Sequence, residues 1–390
     1  MQSKHIGLLA GLTVVTVAVA LFATKSGDAD TTAASEKGAF LPTFGESIND
    51  VNVITVAKSG QTVTLEKQGD TWGVAERGGY PANFTKVRDL LRGLNDLEIE
   101  SKKTKIAANY SKLGVEDVAA DSSSAGLTVA AGDQVLCDLI VGNSKPLGRD
   151  QGLFVRKRGE EQSWEVRGPR ITLPSGAIDW MEREILRLES DKVETVLIQH
   201  ADGETVKVER AARDSSTFVV ANVPPGRAEK REGVGNAVAT SLSYFQMDDV
   251  KPVGEVDFDA EPVALTTFKC YDGLVIDVTL AKVEDTTWAK VATSFVAPPA
   301  PPAPAEGEEP APAPETIAQA DVDALQAKVD GWAFAIPSFK ADALAHRMED
   351  LLAELVPETP APLLPGGESL IDGLDTSPVT GEQATGTQDG

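Results

Sequence analysis

The side chains that most often carry chemistry are few in this chain, and their spacing does not suit it. Only three histidines occur, His5, His200 and His346. A serine nucleophile needs a histidine base and a strained turn to present it, and no Gly-x-Ser-x-Gly elbow is present. No His-Glu-x-x-His places two imidazoles on one helix face for zinc. Gly233-Val234-Gly235 opens a helical pattern, but Val238 stands where a dinucleotide fingerprint needs its third glycine, and the strand entry is missing. No Gly-Lys-Ser or Gly-Lys-Thr cradles a phosphate, so ATP hydrolysis in any complex would come from another chain. The two cysteines, Cys137 and Cys270, form no Cys-x-x-Cys pair, which gives redox catalysis and structural zinc no support. Each lies in an apolar run, so buried free thiols are expected in preference to one disulfide.

Carboxylates and aromatic residues leave more room. Two carboxyl groups at a suitable separation hydrolyse glycosidic bonds, and Asp248 with Asp249, Asp257 with Asp259 and Asp321 with Asp323 are available. In a chain with 60 acidic residues such pairs arise by chance, and a solvated surface is the expected role. Asp257-Phe258-Asp259-Ala260-Glu261 lacks the glycine and the twelfth-position glutamate of a calcium loop. Trp72, Trp164 and Trp288 sit in strand-like runs after charged turns. Exposed, they would stack on sugar rings or anchor a protein partner, but their place in a repeated pattern favours packing in a core. Between 145 and 170 the charge balance reverses, with 7 basic residues against 4 acidic ones. That island makes Arg149, Arg156, Arg158 and Trp164 the candidate binding residues, against the plainer reading of a solvated hairpin of mixed charge. No catalytic, metal or cofactor-binding residue is identified and no cofactor is expected, so the chain does not read as an enzyme.

The elements that would position these residues follow from composition and periodicity. With 390 residues, 42% of them apolar, the chain is long enough for two core-bearing domains plus tails. Its 36 Lys and Arg against 60 Asp and Glu give a net charge of −24, which repels phosphate backbones and argues against a nucleic-acid partner. Of the 24 surplus negative charges, 14 lie in 298–390.

Residues 6–23 run without a charge between Lys4 and Lys25, and as a helix they would span about 27 Å, close to a bilayer core. Ala18-Val19-Ala20 also fits a signal-peptidase site, so a transmembrane anchor and a cleaved signal both stand, the length favouring the anchor. Either reading exports the remainder. The expected location is the cell membrane, single-pass, with 1–5 cytoplasmic and the bulk of the chain extracytoplasmic, in the periplasm. Residues 24–50 read as a tether.

From 51 onward the pattern is strands, helix, strands, helix. Val53-Ile54-Thr55-Val56 and Val63-Thr64-Leu65-Glu66 flank a hairpin turn, and Trp72-Gly73-Val74 follows. Phe84, Val87, Leu90, Leu91, Leu94 and Leu97 form one helical stripe capped by Asn83. Hairpins are expected around Gly132-Asp133 and 159–161, then a helix carrying Ile178, Met181, Ile185 and Leu188 after Ser175. The pattern then begins again. Gly203, Thr205, Val206 and Glu209 repeat Gly60, Thr62, Val63 and Glu66 at an offset of 143. Phe218-Val219-Val220 repeats Trp72-Gly73-Val74, and the stripe Val234, Val238, Leu242, Phe245 repeats Val87, Leu90, Leu94, Leu97. Strands follow around Asp272-Gly273, at 287–291 and at 332–337, with helices over 321–330 and 338–355. The expected fold class is α+β, two tandem related units of mostly antiparallel strands with packed helices, 51–190 and 193–356, after one N-terminal transmembrane helix. A Pro/Ala/Glu-rich insert occupies 297–315, and 357–390 reads as a disordered acidic tail.

This order of pieces resembles the bacterial domain-of-unknown-function family numbered 4340. The resemblance rests on Asp70-Thr71-Trp72-Gly73-Val74, Tyr80-Pro81-Ala82-Asn83 with its leucine helix, and Tyr110-Ser111-Lys112-Leu113-Gly114-Val115. It continues through Leu139-Ile140-Val141-Gly142, Leu153-Phe154-Val155-Arg156, Ile178-Asp179-Trp180-Met181 and Trp332-Ala333-Phe334-Ala335-Ile336-Pro337, over roughly 50–356. The resemblance implies an N-terminal membrane segment and an extracytoplasmic body, and kinship with accessory components encoded beside gliding-type ABC transporters. It implies no catalytic residue. The expected function is that of a non-catalytic accessory or scaffold protein of an envelope or ABC-transporter-associated complex, with a membrane-protein or envelope partner. The alternative is a cell-wall or polysaccharide-binding module, and the third reading is a carboxylate-based hydrolase.

Overall fold

Runs in which every second residue is apolar fold as strands, whereas runs at three-and-four spacing fold only in part as helices. The computed structural model describes residues 38–298 and 316–354. Within them, antiparallel strands form two large sheets and one two-stranded ribbon, with few helices between. Among the described residues no helix is long and apolar enough to cross a membrane. The segment 6–23, most of the insert 297–315 and the tail 357–390 lie outside the described residues.

In the first sheet β1 (Val53–Lys58) and β2 (Gln61–Gln68) close on Ser59-Gly60, whose φ of +53° and +76° are the left-handed pair that a two-residue hairpin turn requires. β3 (Thr71–Val74) and β4 (Tyr80–Pro81) extend one side. The other side holds β6 (Ala125–Ala131), β7 (Gln134–Leu147), β8 (Asp150–Lys157) and β9 (Ser163–Gly168), with β5 (Glu98–Lys102) at the edge. The order is β4-β3-β2-β1-β6-β7-β8-β9-β5. Ile54, Val56, Leu65, Leu127 and Leu139 alternate inward and are fully buried, together with Val87, Leu90 and Leu94 from the helix Phe84–Asn95. Asn83 caps that helix, its Oδ1 accepting from the Lys86 N–H at 3.1 Å.

β10 (Glu184–Leu186) leaves this sheet and later pairs with β14 in the ribbon. The second sheet follows with β11 (Val193–His200), β12 (Thr205–Arg210) and β13 (Phe218–Val220), and β14 is Phe245–Gln246. Then come β15 (Asp249–Pro252), β16 (Pro262–Cys270), β17 (Leu274–Val283), β18 (Thr286–Phe295) and β19 (Trp332–Ala335). Its order, β13-β12-β11-β16-β17-β18-β19-β15, places each strand where β3, β2, β1, β6, β7, β8, β9 and β5 stand in the first. Buried Ile54 and Val56 correspond to Val196 and Ile198, 142 residues on, while Val63 and Leu65 correspond to Val206 and Val208, 143 on. The change arises at the hairpin, where Ser59-Gly60 is replaced by the three residues 201–203. Lys67 of β2 donates to the Asn49 carbonyl in the 3-10 turn before β1, and Arg210 of β12 donates to the Ser190 carbonyl in the 3-10 turn before β11.

Several helices expected from periodicity are absent or short. The stripe after Ser175 forms one 3-10 turn, Ala177–Trp180, and then the extended β10, where Ile185 and Leu186 are both buried. Of the matching stripe in the second unit only Asn236–Ala239 is helical, although Val234, Val238, Leu242 and Phe245 are all buried as expected. There Asn236 accepts from the Phe218 N–H, and the Thr240 and Ser241 hydroxyls turn back onto main-chain carbonyls, interactions that compete with helix propagation. The helix expected over 338–355 breaks into Ser338–Leu344 and Met348–Leu351. Side chains of the second sheet meet its carbonyls at the break: Thr266 donates to Leu344, and a His200 ring nitrogen lies 3.2 Å from the His346 carbonyl oxygen. Part of 38–50, expected to be tether, packs onto the body. Phe40, Phe44 and Val51 are buried, and the Phe40 N–H donates to the Leu97 carbonyl.

The two sheets share buried apolar packing. One contiguous apolar cluster runs through both sheets and takes in Trp180, Ile185 and Phe245 between them. Tyr80 stands edge-on to Trp332 at 5.0 Å and to Phe334 at 6.2 Å, and Arg77 grips Asp249 with two hydrogen bonds of 2.5 and 3.1 Å.

Candidate functional site

The four candidate binding residues are not brought together. Arg149 is exposed at the two-residue tip of the β7–β8 hairpin, whereas Arg156 and Arg158 lie near the other end of β8. Trp164 is paired with Val155, which faces the main core, so it stands on the opposite face of the sheet from Arg156. It is half-buried, edge-on to Phe40 at 6.4 Å, with the Lys102 ammonium 5.6 Å from its ring centre.

Arg156 is buried, and all three arms of its guanidinium are engaged. Nε donates to the Val115 carbonyl at 2.9 Å, Nη1 to the Glu160 carbonyl at 3.1 Å and Nη2 to Asp117 at 2.5 Å, while its plane lies 4.6 Å from the Tyr110 ring centre. Tyr110 in turn donates to the Glu161 carbonyl at 2.6 Å. Three of the motif segments that carry the family resemblance therefore converge here, and they do so to pin the crossover between β5 and β6 onto the sheet. Gly142 completes the fit: a Cβ there would stand 2.3 Å from the Leu113 carbonyl oxygen. A shallow cavity of about 480 Å³ beside this cluster is lined by Lys105, Tyr110, Asp117, Arg156, Arg158 and Glu161, among others.

Four of the seven basic residues of the island are held by carboxylates, Arg156 among them. Arg158 pairs with Asp138 at 2.8 Å, Arg167 with Asp150 at 2.7 Å, and Lys145 with Glu165 at 2.6 Å. Glu165 also receives Lys103 at 2.5 Å. Burial opposes ionisation of Glu165, but the two ammonium groups outweigh it and hold the carboxyl below its ordinary range. Of the other tryptophans, Trp72 and Trp288 are buried, 6% and 5% exposed, which leaves them no free face for a sugar.

An acidic concavity of about 370 Å³ lies where β15, β18 and β19 meet and includes Asp248, Asp249, Asp285 and Ser338. Two of its carboxylates already hold arginines, Asp249 that of Arg77 and Asp248 that of Arg183 at 3.2 Å. Asp257 instead accepts main-chain N–H groups of Asp259 and Ala260. Cys137 and Cys270 are both unbridged and buried, and burial pushes each thiol up to about 12. Among the described residues no group of three or more His, Cys, Asp or Glu is placed to hold a metal ion.

One set of functional-looking pairs escaped the sequence reading. Lys103 lies over Phe154 at 5.8 Å, and its counterpart Lys251 over Trp288 at 4.8 Å. Arg156 lies over Tyr110, and its counterpart Lys290 over Phe258 at 5.3 Å. The Thr128 hydroxyl donates to Asp138 at 3.1 Å, and the Thr267 hydroxyl to Asp277 at 2.5 Å, each pair directly opposed across the sheet. Turns and crossovers of unequal length change the offset between counterparts at each step, so no single spacing reveals these pairs.

No curated protein matches the chain, and no solved structure matches it. A family model described as Domain of unknown function (DUF4340) matches residues 72–261. The match begins in β3 and ends just before β16, crossing from the first sheet into the second. That stretch is similar to the family numbered 4340, the one its motifs resemble.

Proposed function

We infer that the chain is an internally duplicated, non-catalytic scaffold, held by its N-terminal apolar segment on the outer side of a membrane, which assembles or supports an envelope or transporter complex. The observation that carries this reading is the continuous core joining two sheets of matching strand order. A fused body of this kind holds its surfaces in fixed relative positions, which is what a scaffold needs, and tethering near a membrane raises its effective concentration toward membrane partners. The side chains with the strongest chemical potential support the same reading. Arg156 pins a crossover, Glu165 joins Lys103 to Lys145, and Asp249 joins the two sheets through Arg77.

A polysaccharide-binding role needs aromatic rings exposed together, and Trp72 and Trp288 are buried. A hydrolase needs two free carboxylates in a cleft, and Asp248 and Asp249 are each held by an arginine. Crosslinking of the full chain in intact membranes tests the scaffold reading. It expects integral membrane proteins among the adducts, and recovery of this chain alone would sink it.

A further inference from the structure

At one equivalent place on their outer faces the two sheets carry different side chains around the same pair. On the outer face of the first sheet, Asp138 accepts from Thr128 and is closed by Arg158, whose Nε lies at 2.8 Å. Arg158 lies over Gly126: a Cβ on that glycine would stand 2.7 Å from its Nη2. On the second sheet the Thr267 and Asp277 pair is reproduced, but the residue opposite Asp277 on β18 is Ala292. The register also places Leu265 where Gly126 stands and Leu197 where Thr55 stands. Asp277 therefore has no cationic partner among the described residues, and it lies half-buried beside two half-buried leucines on a face with Ala292 and Gln199 exposed.

We propose that this outer face of the second sheet, centred on Leu197, Leu265 and Asp277, docks a protein partner that inserts an arginine onto Asp277. The partner takes the place that Arg158 holds on Asp138 within the first sheet, and it presents apolar side chains to the two leucines. The inference rests on the scaffold reading and names the surface through which the scaffold acts. A half-buried carboxylate already oriented by a hydroxyl is a specific acceptor for a guanidinium, and flanking apolar area supplies the affinity that an exposed ion pair lacks.

The test uses the full-length chain in its membrane with a photoreactive residue at Gln199, which is exposed and pairs with Leu265. An adduct to another protein is expected, with an arginine or lysine close to the crosslinked site. Ala292→Arg, which rebuilds the first sheet's arrangement in cis, should keep the melting temperature and lower the adduct yield at least tenfold. Asp277→Arg should do the same, and reversing the charge of the partner's basic residue should restore that adduct. An adduct yield unchanged by Ala292→Arg overturns the proposal, as does an adduct only to lipid or to a second copy of this chain. If probes at Gln199 are silent while probes elsewhere on the body still reach membrane proteins, this surface is wrong and the scaffold reading stands. Silence at every position overturns both.

Discussion

Arg156 and Glu165 show how a charged side chain becomes architecture. Arg156 donates to the carbonyl of buried Val115 on the crossover and to that of Glu160 in the β8–β9 turn, so truncation removes the donor that ties the two together and leaves the Val115 carbonyl short of a partner. Arg156→Ala is expected to lower the unfolding free energy by about 2–4 kcal/mol in denaturant titrations, with Arg156→Lys recovering only part of it, because an ammonium cannot span both carbonyls. Glu165 supplies a pH dependence whose sign follows from its lowered ionisation range. A carboxyl with a folded value below its unfolded one stabilises fully above the ordinary range near pH ~4.5, and that contribution is lost as the pH falls through the lower folded value. Glu165→Gln should therefore be less stable at pH 7 and show a shallower loss of stability as the pH falls below the ordinary carboxylate range than the unaltered chain.

Among the elements, strands were legible and helices much less so. A strand needs only alternation, which local sequence carries, and β6, β7, β16 and β17 fall where Gly132-Asp133 and Asp272-Gly273 punctuate the runs. The helix Phe84–Asn95 was also legible, because a capping asparagine and a leucine stripe agree. The stripe Ile178, Met181, Ile185, Leu188 misled because Met181, Ile185 and Leu188 are buried, and Ile178 half-buried, in a backbone that is not α-helical: the sequence period records burial, and here the tertiary surroundings chose extension. The candidate site was legible as residues and illegible as geometry. Arg156 and Trp164 are close in sequence, but the parity of β8 and β9 puts them on opposite faces. The close approach of the 110–114 turn to β7 gives a sharp test at the element scale. Gly142→Ala should cost roughly 2–3 kcal/mol in thermal or chemical unfolding, since the Leu113 carbonyl must move. Gly254→Ala, with nothing within 4 Å of its Cβ, should lie within about 1 kcal/mol of the unaltered chain and on the stabilising side.

At the scale of the whole molecule, a main apolar cluster shared by both sheets implies a single unfolding event. Calorimetry of a chain covering 38–354 is expected to give one transition whose calorimetric and van't Hoff enthalpies agree. Two resolved transitions would mean that the Tyr80, Trp332 and Arg77, Asp249 contacts are too weak to couple the halves. A polypeptide ending at 190 would leave Tyr80 without Trp332 and Phe334 and should not unfold cooperatively.

The positions of the two thiols turn that expectation into a chemical readout. Cys137 lies within one sheet and Cys270 within the other, each shielded from solvent. An alkylating reagent can reach either sulfur only while its own half is transiently open. The wild-type chain thus carries two internal clocks, one per half, and equal modification rates at both would report that the halves breathe as one.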